Sequence, residues 1–99
     1  MASSVEYLTY VLELLRETPN ITYRKMMGEY VFYKDGVVFG GLYDNRFLVK
    51  KAKAIEDYGL KEELPYPGGS MMYLIDSDDP DEIMEIVNKI TRELREGKK

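Results

Sequence analysis

One stretch constrains the fold more than any other: Arg24–Lys50, which reads RKMMGEYVFYKDGVVFGGLYDNRFLVK. Two turn signals, Asp35-Gly36 and Asp44-Asn45, divide it into short runs of Val, Phe, Tyr and Leu. Both residues of such pairs tolerate positive φ, which favours a tight two-residue hairpin turn. The segment therefore predicts an antiparallel meander. With a two-residue turn at each signal, Phe32 falls opposite Phe39, Tyr30 opposite Gly41, Leu42 opposite Phe47 and Phe39 opposite Lys50. Strand alternation then sorts the side chains onto two faces. One carries Val31, Tyr33, Val38, Leu42, Phe47 and Val49, a plain core face. The other mixes aromatic and cationic groups: Tyr30, Phe32, Lys34, Val37, Phe39, Tyr43, Arg46, Leu48 and Lys50. The sorting depends on register, since a slip of one residue exchanges the faces of a strand.

The flanking segments supply helices. Ser3-Ser4-Val5-Glu6 matches a capping box, and Val5, Leu8, Leu12 and Leu15 recur at helical spacing, widened by Val11 and Leu14. Pro19 predicts the end of this helix near Glu17. Ile21–Met27 reads as an extended segment entering Gly28. Lys51–Tyr58 has short helical character with Gly59 as its stop. Leu60–Gly69 reads as the main irregular loop, and Met71–Ile75 as a further strand. Asp79-Pro80-Asp81-Glu82 is a strong helix start, leading into a stripe of Ile83, Ile86, Val87, Ile90 and Leu94. Residues Glu96–Lys99 are expected to fray. Two amphipathic helices can cover only one face of a small sheet. The expectation is one two-layer α+β domain over residues 1–99, with the N- and C-terminal helices on one face of an antiparallel sheet. If the open face is the mixed one, it forms a docking surface of Tyr30, Phe32, Phe39, Tyr43, Arg46 and Lys50, with Arg24 near its edge. A protein partner or a second copy fits such a surface. A nucleic acid is the alternative, with rings stacking bases and cations holding phosphates.

The 99 residues include no cysteine and no histidine. This excludes disulfides, Cys/His zinc sites and histidine-assisted nucleophiles, so the serines lack the usual base. No cofactor is expected. Net charge is −4 but uneven: residues 24–53 hold seven cations against three acids, and residues 54–82 one cation against nine acids. Such asymmetry suits electrostatic complementarity to a partner as well as ordinary solvation. No apolar run reaches membrane-spanning length, and the start MASSVEY lacks a basic leader region, which points to the cytoplasm. Asp76–Glu82 is densely acidic, yet Pro80 and Asp81 break the EF-hand template, leaving helix capping as the reading. Gly68-Gly69-Ser70 precedes a strand, the wrong order for a phosphate loop. The pairs Met26-Met27 and Met71-Met72 read as adaptable fillers, not as soft-metal ligands. Arg24 and Glu29 bracket Gly28 and could pair, or Arg24 could present its fork to an anion.

Arg24-Lys25-Met26-Met27-Gly28-Glu29-Tyr30, then Tyr33, Asp35-Gly36, Phe39-Gly40 and Asp44-Asn45-Arg46-Phe47-Leu48-Val49-Lys50, resembles the N-terminal domain of the TfoX/Sxy family. These are bacterial proteins associated with the regulation of natural competence. The likeness extends more loosely to the first helix, Leu64-Pro65-Tyr66, the Met71–Ile75 strand and the last helix. It implies an α+β domain with helices packed on an antiparallel sheet, acting in transcriptional control through other proteins. It implies no catalytic residues. Full-length competence regulators of this type also carry a C-terminal helical domain, whereas this sequence ends at Lys99. Arg24, Gly28, Tyr30, Asp44, Arg46 and Lys50 occupy its motif positions.

Overall fold

The computed structural model describes residues 3–96. In chain order it holds helix α1 (Val5–Leu14), strands β1 (Ile21–Met26), β2 (Glu29–Lys34), β3 (Val37–Leu42) and β4 (Phe47–Val49), and a 3-10 helix (Lys53–Tyr58). Strands β5 (Glu62–Glu63) and β6 (Met72–Leu74) follow, then helix α2 (Pro80–Glu96). The strands make one antiparallel sheet in the order β1-β2-β3-β4-β6-β5, so the class is α+β as expected. The short β5 lies inside the segment read as an irregular loop. No helix among the described residues is long and apolar enough to cross a membrane. Positions 97–99, expected as a frayed tail, lie outside the described residues.

The turns follow their chemistry. Asp35 and Gly36 have φ of 51° and 80°, and Asp44 and Asn45 have 55° and 57°. Tyr43 and Arg46 close the second turn by exchanging backbone hydrogen bonds of 2.9 and 3.1 Å. A third turn of the same kind, Met27-Gly28 at φ 53° and 83°, joins β1 to β2. At the C-terminal helix, Asp79 Oδ1 accepts the Asp81 N–H at 3.0 Å, the capping role read from the sequence. Gly59, at φ 67°, ends the 3-10 helix.

The start of α1 differs from expectation. Ser4, not Ser3, is the N-cap, accepting the Tyr7 N–H at 3.1 Å. Ser3 is instead drawn off to Glu29, donating to its Oε1 at 2.8 Å. Val5 is consequently exposed on the first turn, and the buried stripe is Leu8, Val11 and Leu14, continued by Leu15. The helix ends at Leu14, earlier than Glu17: beyond it the Arg16 and Thr18 N–H groups bond three residues back, to the Glu13 and Leu15 carbonyls, and Leu15 is buried.

The meander departs from a simple ladder at one residue. Between Tyr33↔Val38 and Phe32↔Gly40 the β2–β3 register shifts, leaving Phe39 as the extra residue of a β-bulge. Tyr30 then lies opposite Leu42 instead of Gly41, while Leu42↔Phe47 pairs as predicted. A bulge of this kind turns successive side chains to the same side. The rings assigned to opposite faces by strict alternation therefore converge. Tyr30, Phe32, Phe39, Leu42, Phe47 and Val49 form one cluster with Leu8, Val11, Ile83, Ile86, Val87 and Ile90. Phe32 stacks against Phe39 at 6.1 Å between centroids and meets Phe47 edge-on at 5.9 Å. Both helices thus cover the face that carries the rings.

Candidate interaction surface

Register defines what remains on the other face. Arg24 pairs with Val31 and Met26 with Glu29 across β1–β2, Val31 with Gly41 across β2–β3, Gly41 with Leu48 across β3–β4, and Leu48 with Leu74 across β4–β6. Directly opposed residues share a face, so these side chains lie on the side away from the helices. Tyr43, Arg46 and Lys50 join them by alternation.

Of the seven residues expected to form a docking surface, Tyr30, Phe32 and Phe39 are misplaced by that expectation. They are 4%, 0% and 0% exposed beneath the helical layer, and the bulge at Phe39 is the reason. Arg24, Tyr43, Arg46 and Lys50 do lie on the open face, but in different states. The Arg46 fork is occupied. Its Nε donates to the Tyr43 carbonyl at 3.1 Å, one terminal nitrogen to Glu63 Oε1 at 2.8 Å and the Leu64 carbonyl at 3.0 Å, and the other to the Pro65 carbonyl at 3.2 Å. That clamp ties the loop after β5 to the turn after β3. Glu29 is likewise occupied: besides Ser3 it accepts the Asp44 N–H at 3.2 Å. Asn45 Oδ1 accepts the Ser4 N–H at 2.9 Å, so the start of α1, the β1–β2 turn and the β3–β4 turn are knotted together. Glu29 makes no ion pair with Arg24 among the described residues, which leaves Arg24 exposed.

Tyr43 lies half-buried across Gly41. A Cβ at Gly41 would collide with the Tyr30 carbonyl oxygen and come within 3.2 Å of the Tyr43 ring, so only glycine allows this approach. Burial raises the Tyr43 hydroxyl pKa above its ordinary value, with Tyr66 and then Glu29 adding to the effect. The Tyr43 and Tyr66 rings are 6.1 Å apart and, with Pro65, form a ridge. On one side of the ridge is a groove of Met26, Met27, Val31 and Tyr43, and on the other a shallower one of Lys50, Met71 and Met72. Met26, Met27, Leu64, Tyr66 and Met71 are five of the eight large apolar side chains left exposed among the described residues.

Met27 carries the clearest functional signal; the sequence reads it, with Met26, as a filler, and the exposure of both side chains overturns that reading. It is wholly exposed, at 102%, and holds φ at 53°. A positive φ is unfavourable for a long side chain, and Asn or Asp would fit the first position of this turn better. A Met-Gly pair at a strand junction was the available clue, since Gly28 could supply only half of such a turn.

Other polar clusters serve the fold. Glu93 accepts the backbone N–H groups of Lys53 and Ala54, both at 2.9 Å, which holds its carboxyl below the usual range. Tyr58 donates to Glu85 and accepts from Lys89 at 3.0 Å; the bond to Glu85 raises the phenol pKa, away from use as a base. No cluster of three or more potential metal-ligating acids occurs among the described residues.

Compared with known proteins, residues 13–75 match the family model described as the TfoX N-terminal domain. An uncharacterized 12.7 kDa protein in the trpE 5′ region of Spirochaeta aurantia is 32% identical over 78 residues, spanning 77% of this chain and 68% of that protein.

Proposed function

Since the chain belongs to the TfoX N-terminal domain family, we propose that it is a non-enzymatic regulatory module that works by binding another protein. In this reading it serves transcriptional control of the competence type, in the cytoplasm. The observation that carries the proposal is the open face: most of the exposed large apolar side chains gather around the Tyr43–Pro65–Tyr66 ridge, with Met27 held at positive φ beside them. Unbranched thioethers adapt to a partner's shape, which suits docking. Lys50 and Arg24 supply cationic margins to the two grooves. The surface is therefore Arg24, Met26, Met27, Tyr43, Tyr66 and Lys50, with Arg46 holding the ridge in place.

Nucleic-acid binding through this face is the weaker reading. Of the rings assigned to stack bases, Tyr30, Phe32 and Phe39 lie in the core, which leaves Tyr43 alone of that set on the open face.

The test is capture from native cytosol with and without nuclease, using wild type and a Met27→Ser/Tyr66→Ala variant. Capture that survives nuclease and is lost in the folded variant supports the protein reading. Capture abolished by nuclease, or falling steeply with salt, supports the nucleic-acid one. Unchanged capture by the variant removes the open face from consideration.

A further inference from the structure

The sheet's two edges are unequal. One ends in β5, only two residues long, whereas the other ends in β1, which pairs with β2 over six residues without a bulge or proline. The Asp35 N–H donates to the Asn20 carbonyl at 3.1 Å. In an antiparallel ladder the bonded residues alternate, so Asn20, Thr22, Arg24 and Met26 direct their backbone groups towards β2. Ile21, Tyr23 and Lys25 direct theirs outward, where β1 has no neighbouring strand among the described residues. Such a row is a template for one more strand.

The side chains specify what that strand should carry. Arg24 and Lys25 are adjacent, so they point to opposite faces of the sheet, and both are exposed. Neither makes an ion pair or side-chain hydrogen bond among the described residues, whereas Lys34, Arg46 and Lys51 are all paired. A second copy fits poorly. Pairing outward residues with outward residues over the full strand sets Arg24 opposite Thr22 and Lys25 opposite Ile21 of the other copy, so all the cations stay without counter-charge. Two adjacent acids in an extended partner would meet both, one on each face.

We infer that β1 is a docking edge for an extended acidic segment of a partner protein, which adds to the sheet as a seventh strand with neighbouring carboxylates on Arg24 and Lys25. The inference rests on the protein-binding reading above but uses the edge instead of the Met27–Tyr66 groove. The two meet at Met26, where the strand ends beside the groove.

Amide exchange tests it. The labelled full chain is titrated with a blocked hexapeptide, Thr-Val-Glu-Asp-Val-Thr, and with its Lys-Lys counterpart. The expected result is that the acidic peptide slows exchange at Ile21, Tyr23 and Lys25 by at least about tenfold while Thr22, Arg24 and Met26, already bonded to β2, change little. The Arg24→Glu/Lys25→Glu variant should lose that protection. Equal protection by the lysine peptide, protection that grows with protein concentration alone, or no alternating pattern at millimolar peptide each overturns the inference. If the alternation is absent while Met27→Ser/Tyr66→Ala still abolishes partner capture, the edge is excluded and the open-face proposal stands.

Discussion

The two faces of the sheet use aromatic side chains in opposite ways. On the helix-covered face, Phe32, Phe39 and Phe47 are held by apolar packing, against one another and in one cluster with side chains of α1, α2 and the sheet. On the open face, Tyr43 and Tyr66 are held at their positions by polar clamps: Arg46 on the loop carbonyls and Glu29 on the Asp44 amide. The first arrangement gains its stability from removing apolar surface from water. The second keeps apolar surface in water and spends directional bonds on fixing its shape. A surface prepared in that way loses little freedom when a partner arrives.

The contrast can be broken at either face. The largest effect is expected from Phe32→Ala, which empties a fully buried site at the centre of the ring cluster and should cost about 3–5 kcal/mol in urea unfolding. Val31→Ala, one residue away on the open face and only partly buried, should cost less than about 1 kcal/mol. Equal losses at the two positions would contradict the assignment of faces.

Arg46→Ala is expected to cost about 1–3 kcal/mol, because it leaves Glu63 and two loop carbonyls without their donor. Its sharper signature is faster proteolysis and amide exchange across the Leu64–Met71 loop. Lysine should not restore protection, since a single ammonium cannot reproduce a planar fork. Protection unchanged in Arg46→Ala would show that the ridge needs no clamp.

The smallest effect lies with Glu93. Its carboxyl is held below the ordinary range by two backbone N–H donors, so the charged form is favoured in the folded chain. Its contribution is therefore present above the unfolded carboxylate pKa and disappears as pH falls through the lowered folded value. The stability gap between wild type and Glu93→Gln should be open near about pH 7 and shrink as pH falls below the ordinary carboxylate range, as read from urea midpoints. A gap that widens on acidification would reverse the sign.

Much of the fold was legible because its signals are local. Asp35-Gly36, Asp44-Asn45, Asp79-Pro80 and Gly59 each fix a turn or helix end through their own backbone preferences. The candidate site was less legible because a single extra residue decides it. Nothing in Val37-Val38-Phe39 announces a bulge, yet the bulge brings Leu42, Phe47 and Val49 to the face of Tyr30, Phe32 and Phe39 and makes that face the core. Gly40 and Gly41 were the nearest hint: added Cβ atoms there would collide with the Leu48 and Tyr30 carbonyl oxygens, respectively. Ser3 and Ser4 are similarly equivalent as caps until Glu29 and the Asn45 N–H, distant in sequence, engage the Ser3 hydroxyl and leave that of Ser4 to cap the helix. The role of Arg46 depends on a loop almost twenty residues further on, which no local pattern reveals.

Met27, wholly exposed and at positive φ in the β1–β2 turn, bears most directly on whether the open face meets a partner. The direct test is Met27→Asn, measured for stability and for partner capture in the same preparation. Asparagine accepts positive φ more readily, so the variant should gain roughly 0.5–1 kcal/mol in unfolding free energy while losing capture. A variant that is more stable and still captures its partner in full would contradict the claim that this face is where the protein works.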